Sequence, residues 1–247
     1  MMRPSPAGRR LTDAELAARI AEGAGRLLLG VRHGDLLTRR ALGDAGDTLA
    51  NAWIHAVLHA HRPSDAIISE ESPEDVDRLT ASRVWIIDPL DGTSHYASGS
   101  PEWAVHVALT VDGQPTACAV ALPDTDELFR TDTVEPPTGP LTGFIATPHY
   151  VNYDISWAAS KLNLQYLPIG SAGAKAMAVV RGDADAYVHT GGQYEWDNCA
   201  PVGVARAAGL HCSRVDGSPL VYNRRSIYLP DFVICRQEIA DDLLAAL

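Results

Sequence analysis

Positions 84–91 read Val-Trp-Ile-Ile-Asp-Pro-Leu-Asp, and Gly92-Thr93-Ser94-His95-Tyr96 follow. Four apolar residues in a row describe a strand buried on both faces, which needs a packed layer above it and another below. Its carboxyl end then meets two aspartates. Pro89 lacks an N–H and has a fixed φ, which predicts a turn at that point. Gly92 permits a tight backbone whose N–H groups can face an anion. Asp88 and Asp91, with the Leu90 carbonyl between them, form the oxygen set that a hard cation takes beside a phosphate. A solvated Asp-Gly turn needs no buried strand leading into it.

Two more acidic ends repeat the design. Ala66-Ile-Ile-Ser69 runs into Glu70-Glu71, and Glu195-Trp196-Asp197 opens a helical pattern continued by Asn198, Cys199 and Ala200. Asp197 also suits a helix N-cap. Three acidic strand or helix ends together point to a metal site.

The remaining pattern is mixed. Thr12 and Glu15 form a capping box ahead of Leu16, Ile20, Leu27 and Val31, predicting a helix over 13–31. A second helix is expected over 47–61. Strands are expected at 66–69, 84–87, 103–111, 116–122 and 127–133, with Asp112-Gly113 as a hairpin turn. Glu135–Gly143 is rich in Pro and Gly and reads as a boundary between an N-terminal α+β domain (1–138) and a C-terminal α/β domain (139–247). Beyond it come a strand at 143–147, a helix at 153–162, a strand at 165–169, a helix at 172–181, a strand at 184–190 and a helix at 197–208. Strands at 210–215 and 232–236 and a last helix from 237 complete the pattern. The expected class is α+β, in layers of sheets and helices.

Composition narrows the function. With 20 Lys plus Arg against 31 Asp plus Glu, the formal charge is −11, a poor balance for holding nucleic-acid phosphates. A small phosphate would have to be drawn in by bound metal ions. No apolar run is long enough to span a bilayer, and residues 1–11 read as a frayed tail without a signal-peptide pattern. Cys118, Cys199, Cys212 and Cys235 show no zinc-ligand spacing and read as buried thiols, so the expected location is cytoplasmic.

Asp-Pro-Leu-Asp-Gly-Thr, with an acidic pair upstream and Trp-Asp before small residues downstream, resembles the inositol monophosphatase superfamily. Gly170-Ser-Ala-Gly-Ala-Lys-Ala-Met-Ala, Gly182-Asp-Ala-Asp-Ala-Tyr and Asp216-Gly-Ser-Pro-Leu are similar to its actinobacterial CysQ branch of 3′(2′),5′-bisphosphate nucleotidases. The resemblance implies a layered α-β-α-β-α sandwich and a lithium-sensitive phosphomonoesterase with two or three Mg2+ ions. It implies Glu70, Asp88, Asp91, Asp197 and the Leu90 carbonyl as metal ligands. Asp47, Thr93 and Glu70 would be catalytic, with Asp44 the alternative to Asp47. Gly92, Thr93, Ser94, His95, His149, Ser171 and Lys175 would bind substrate. The expected substrate is 3′-phosphoadenosine 5′-phosphate. A nucleoside monophosphate, inositol phosphate or sugar phosphate is the alternative, and a catalytically silent nucleotide-binding protein a third reading. Partners would be this small molecule and a second copy of the chain, with no nucleic-acid polymer and no membrane.

Two departures bear on the substrate. The branch carries a basic residue after Asp-Gly-Thr, where this chain has Ser94-His95-Tyr96, and an arginine near His149, in Ala146-Thr-Pro-His-Tyr. Tyr96, Tyr150, Tyr153 and Tyr194 are candidates for stacking on a base. His55 and His59 have the i, i+4 spacing of a zinc pair but no following glutamate, so they read as a solvated helix face. His106 reads as a satisfied sheet histidine. Glu74, Asp75 and Asp77 read as a mobile acidic loop beside the site.

Overall fold

The computed structural model describes residues 10–73 and 75–247. Most of the tail read over 1–11 therefore lies outside the described residues, as does Glu74.

Two helices open the chain. Helix α1 (Asp13–His33) starts at the foreseen capping box, with the Thr12 side chain accepting from the Glu15 N–H and Glu15 accepting from the Thr12 N–H. Helix α2 spans Arg39–His61. It begins eight residues before the sequence expectation because Thr38 makes no side-chain cap and Gly43 and Gly46 blur the periodicity. Both glycines have packing reasons. A Cβ on Gly43 would lie 2.8 Å from Thr93 Cγ2, and one on Gly46 would lie 3.1 Å from Leu28, Leu90 and Tyr96 atoms.

The first sheet has the order β1-β2-β3-β4-β5, made from β1 (Ala66–Ser69), β2 (Arg83–Asp91), β3 (Ala104–Val111), β4 (Gln114–Leu122) and β5 (Glu127–Arg130). Strands β1 and β2 are parallel and the rest antiparallel. Pro89 does not end β2. The strand continues to Asp91, and the disturbance is a register shift against β3 between Asp88 and Asp91, which suits a residue that cannot donate to the ladder. Short α3 (Thr93–Ser98) follows.

The second sheet has the order β10-β12-β8-β6-β7. Its strands are β6 (Phe144–Thr147), β7 (Gln165–Pro168), β8 (Ala186–His189), β10 (His211–Ser213) and β12 (Phe232–Cys235), and β9 (Gln193–Tyr194) with β11 (Tyr228–Leu229) forms a two-stranded ribbon. The helices are α4 (Tyr153–Leu162), α5 (Ala172–Arg181), α6 (Glu195–Ala207) and α7 (Ala240–Ala246).

Alternation along β2 makes the layers. Trp85 and Ile87 face a core with Leu16, Ile20, Leu28, Ile54 and Leu58 of α1 and α2. Val84 and Ile86 face the opposite core, with Met177 of α5, Ala200 and Val204 of α6, and Tyr187, Phe232 and Ile234 of the second sheet. The far side of that sheet packs Val188 and Val233 against Ile155, Ala158 and Leu243 of α4 and α7. The result is the expected α-β-α-β-α sandwich, and α5 and α6 are its shared middle layer.

Part of the stretch read as an acidic loop, from Val76 onward, is ordered into an element. Val76–Thr80 forms a short 3-10 helix. Buried Arg78 donates to Asn223 Oδ1 at 2.8 Å and to the Arg224 carbonyl at 3.1 Å, tying the segment to the second half.

Candidate active site

Parallel pairing sets Ser69 beside Ile87, so the carboxyl ends of β1 and β2 emerge together and bring Glu70 next to Asp88. The first turn of α6 adds Asp197 from the other half of the chain. Its carboxylate accepts the Tyr194 N–H at 2.7 Å, where an acid also complements the helix dipole. One oxygen from each of Asp88, Asp91 and Asp197 lies within 4.8 Å of the other two.

Asp91 is the most tightly held of the three. Its Oδ2 accepts from Ser171 Oγ at 2.6 Å and from the Gly173 N–H at 2.7 Å, and its Oδ1 accepts from the Ala172 N–H at 3.2 Å. Asp91 therefore caps α5 from outside. Ser171 supplies the regular N-cap, accepting from Ala174 N, and does so at φ 46°.

Fully buried His106, which interrupts an apolar strand, lies behind this pair. Its Nδ1 is 3.2 Å from the Trp196 carbonyl, and its Nε2 is 3.3 Å from Asp91 Oδ2, off the hydrogen-bond direction. It is more than the satisfied sheet histidine expected from alternation, since it touches a site carboxylate.

The electrostatics are those of crowded, buried carboxylates. Burial, then Glu70, Asp91 and Asp197, push Asp88 well above the ordinary carboxyl range. Glu70 rises to about 7, first from desolvation and then from the Asp197 and Glu71 charges. Desolvation and Asp91 raise Asp197 to about 6. Asp91 moves the other way. Burial raises it, but His106, Ser171 and the Gly173 N–H outweigh burial and hold it below the usual range. An all-oxygen donor set in which the crowded acids raise Asp88, Glu70 and Asp197 fits hard divalent cations.

Beside the cluster, Thr93 Oγ1 donates to the Leu90 carbonyl at 3.1 Å and lies 3.5 Å from Asp47 Oδ1. Burial, then Glu71 and Glu70, raise Asp47 to about 7. Asp47 lies inside α2, and Asn51 and His55 follow at i+4 and i+8 on the same face. Asn51 accepts from Ser69 Oγ at 2.7 Å and donates to Ser72 Oγ at 3.2 Å, and His55 Nε2 is 3.2 Å from the same hydroxyl. This polar stripe grips the turn carrying Glu70. His55 is half-buried, so the solvated helix face foreseen for His55, His59 and His61 holds for exposed His59 and His61. The stripe was readable in the sequence as Asp-Asn-His at helical spacing.

The expected substrate residues separate into two groups. Gly92, Thr93 and Ser94 directly follow Asp91 of the cluster, with Gly92 at φ 85°. Its Cβ position would be 3.0 Å from the Glu102 carbonyl oxygen. Lys175 is buried, and its ammonium donates to the carbonyls of Ser171, Gly170 and Ile169 at 2.5, 3.3 and 3.4 Å. It is neither a surface lysine nor directed at open space. His95 and His149 form a separate wall around Glu102, which no sequence signal had marked. Of the tyrosines, Tyr96 is buried with its hydroxyl on the Leu28 carbonyl and is removed as a stacking face. Tyr150 and Tyr153 are exposed, and Tyr194 stacks on Trp196.

The sequence pattern of the inositol monophosphatase family matches residues 14–136 and 146–247. The 3′-phosphoadenosine 5′-phosphate phosphatase of Mycobacterium leprae is 50% identical over 258 residues, covering 96% of this chain and 94% of that protein. The 3′(2′),5′-bisphosphate nucleotidase CysQ of Escherichia coli is 28% identical over 202 residues, covering 75% of this chain and 81% of that protein. The crystal structure of CysQ from Bacteroides thetaiotaomicron shares the fold, with a TM-score of 0.81 at 23% identity over 91% of this chain and 97% of that one. On the match through both halves and the phosphatase relatives, the chain belongs to the inositol monophosphatase family and is a phosphatase.

Proposed function

We propose that this enzyme removes the 3′-phosphate of 3′-phosphoadenosine 5′-phosphate with Mg2+ ions held by Glu70, Asp88, Asp91, Asp197 and the Leu90 carbonyl. The observation that carries the reading is the convergence of Asp88, Asp91 and Asp197 oxygens from both halves of the chain. The substrate follows from the 50% identical relative of that name.

When bound, such ions lower the pKa of a water and neutralise phosphate charge. The chain's residues do the positioning. Thr93, held by the Leu90 carbonyl and next to Asp47, orients the attacking water. Asp47 is the acceptor for its proton. The backbone at Gly92, Thr93 and Ser94 receives the phosphate. Phosphoryl transfer asks for little more than such positioning and charge neutralisation. The same reading puts the enzyme in the cytoplasm, in keeping with four free cysteines.

A second reading keeps the chemistry on a monophosphate. The wall at His95 and His149 favours it, because it holds imidazoles around a carboxylate where a fixed cation would suit a second phosphate. Phosphate release with Mg2+ from the bisphosphate, 3′- and 5′-AMP, inositol 1-phosphate and sugar phosphates separates the two. A clear lead for the bisphosphate upholds the first reading, and a lead for any monophosphate replaces it.

A further inference from the structure

Glu102 has no part in the chemistry above, yet it is built into the site. It follows Pro101 just before β3, and its carboxylate is 29% exposed. Oε2 accepts the Gly170 N–H at 3.0 Å. The next residue, Ser171, donates to Asp91. Consecutive residues of one loop therefore fix Glu102 and Asp91 side by side, and Lys175 clamps that loop from beneath through the carbonyls of 169–171.

The surroundings are shaped to this carboxylate. A Cβ on Gly170 would lie 2.5 Å from His95 Cε1 and 2.8 Å from Glu102 Oε2, so a side chain there would close the space. His95 Nδ1 and His149 Nε2 each lie 3.6 Å from Oε2, and their rings are 6.3 Å apart. At that distance they are not hydrogen bonds. The imidazoles flank the carboxylate without using up its acceptor capacity. Among the described residues Oε1 accepts no hydrogen bond.

A carboxylate with free lone pairs is a poor host for a phosphate and a good one for a hydroxyl. The main-chain carbonyl of Glu102 packs on Gly92, and its carboxylate holds Gly170, one residue along the loop from the partner of Asp91, so the hydroxyl is one next to the phosphate being cleaved. We infer that Glu102, flanked by His95 and His149, accepts a hydrogen bond from the substrate hydroxyl adjacent to the scissile phosphate and is a specificity-determining residue of this enzyme. On the nucleotide reading proposed above, on which the inference rests, that group is the ribose 2′-hydroxyl.

The test compares kcat/KM for 3′-phosphoadenosine 5′-phosphate and its 2′-deoxy counterpart. The wild type favours the ribo substrate by about tenfold to a hundredfold, the range of one hydrogen bond to a charged acceptor. In Glu102→Ala the ratio falls to within about twofold. In Glu102→Gln, which keeps an acceptor for the Gly170 N–H, it takes a value between the two. A purely structural role would lower both substrates in parallel and leave the ratio intact, which overturns the inference. Equal use of both substrates by the wild type overturns it while sparing the proposed function. Failure of the wild type to hydrolyse either nucleotide overturns both.

Discussion

Ser171 Oγ donates to Asp91 Oδ2 at 2.6 Å while accepting the Ala174 N–H at 3.0 Å. One hydroxyl thus starts α5 and steadies a site carboxylate. Ser171→Ala removes both. Loss of an N-cap costs about 1 kcal/mol, and, on the proposed assignment of Asp91 as a metal ligand, loss of the group that orients it costs about 10–100-fold in metal affinity. Thermal denaturation reads the first and Mg2+ titration by calorimetry the second. Unchanged Mg2+ affinity would show that Asp91 needs no help from Ser171.

Crowded, buried carboxylates gain stability from a divalent cation. At a Mg2+ concentration about 100-fold above Kd the gain is about 2.7 kcal/mol, or about 5–10 °C in Tm for a chain of this size. Asp197→Asn loses both this shift and phosphate release. A variant that keeps both properties would remove Asp197 from the ligand set.

Gly173 is a packing requirement. A Cβ there would lie 2.2 Å from His106 Nε2 and 2.8 Å from Ala104 Cβ. Overpacking of this kind costs about 1–3 kcal/mol, so Gly173→Ala lowers the urea midpoint. It also lowers activity, because the shift displaces the N–H that Asp91 accepts. Unaltered stability would mean that His106 has room to retreat.

Lys175→Met leaves the carbonyls of residues 169–171 without their ammonium donor and costs about 1–3 kcal/mol. Burial already lowers the pKa of this lysine. The measurement is equilibrium unfolding alongside the KM for the bisphosphate. A raised KM with full stability would assign Lys175 to the substrate rather than to the loop.

Acid sensitivity has a source away from the acidic cluster. Burial raises Asp65, but hydrogen bonds from Arg83 and Trp85 outweigh it and leave its pKa below the ordinary carboxyl value. A depressed carboxyl contributes stability that is present above its unfolded pKa and lost as pH falls through the folded value. Asp65→Asn therefore destabilises at pH 7 by about 1.5–3 kcal/mol and flattens the fall in stability below about pH 4. A variant with the same slope as the wild type below that pH would place the acid-sensitive group elsewhere.

The layered fold was legible because its signals are periodic. The alternation along β3 and the continuous apolar run of β2 state which faces are buried. The cluster of Asp88, Asp91 and Asp197 was legible because each acid lies at the end of an element. The beginning of α2 was hidden by glycines that serve packing against Thr93, Leu90 and Tyr96, contacts that no local pattern reveals. His106 and Glu102 were hidden for a related reason. Asp91 meets His106 only through the pairing of β2 with β3, and Gly170 meets Glu102 only when the second half of the chain packs against the first. The place of Lys175 beneath the 169–171 loop was hidden because the sequence shows its charge and not the carbonyls to which it donates.

Two of the three hydrogen bonds that Asp91 accepts come from the main chain, at Ala172 and Gly173. Side-chain exchange cannot delete a backbone amide, and proline is the one residue that lacks it. Ala172 already carries the side chain that an alanine scan would install, so such a scan would pass over this contact. It is a bond written in the path of the chain and not in its lettering. Replacing the amide by an ester in a semisynthetic protein would expose it.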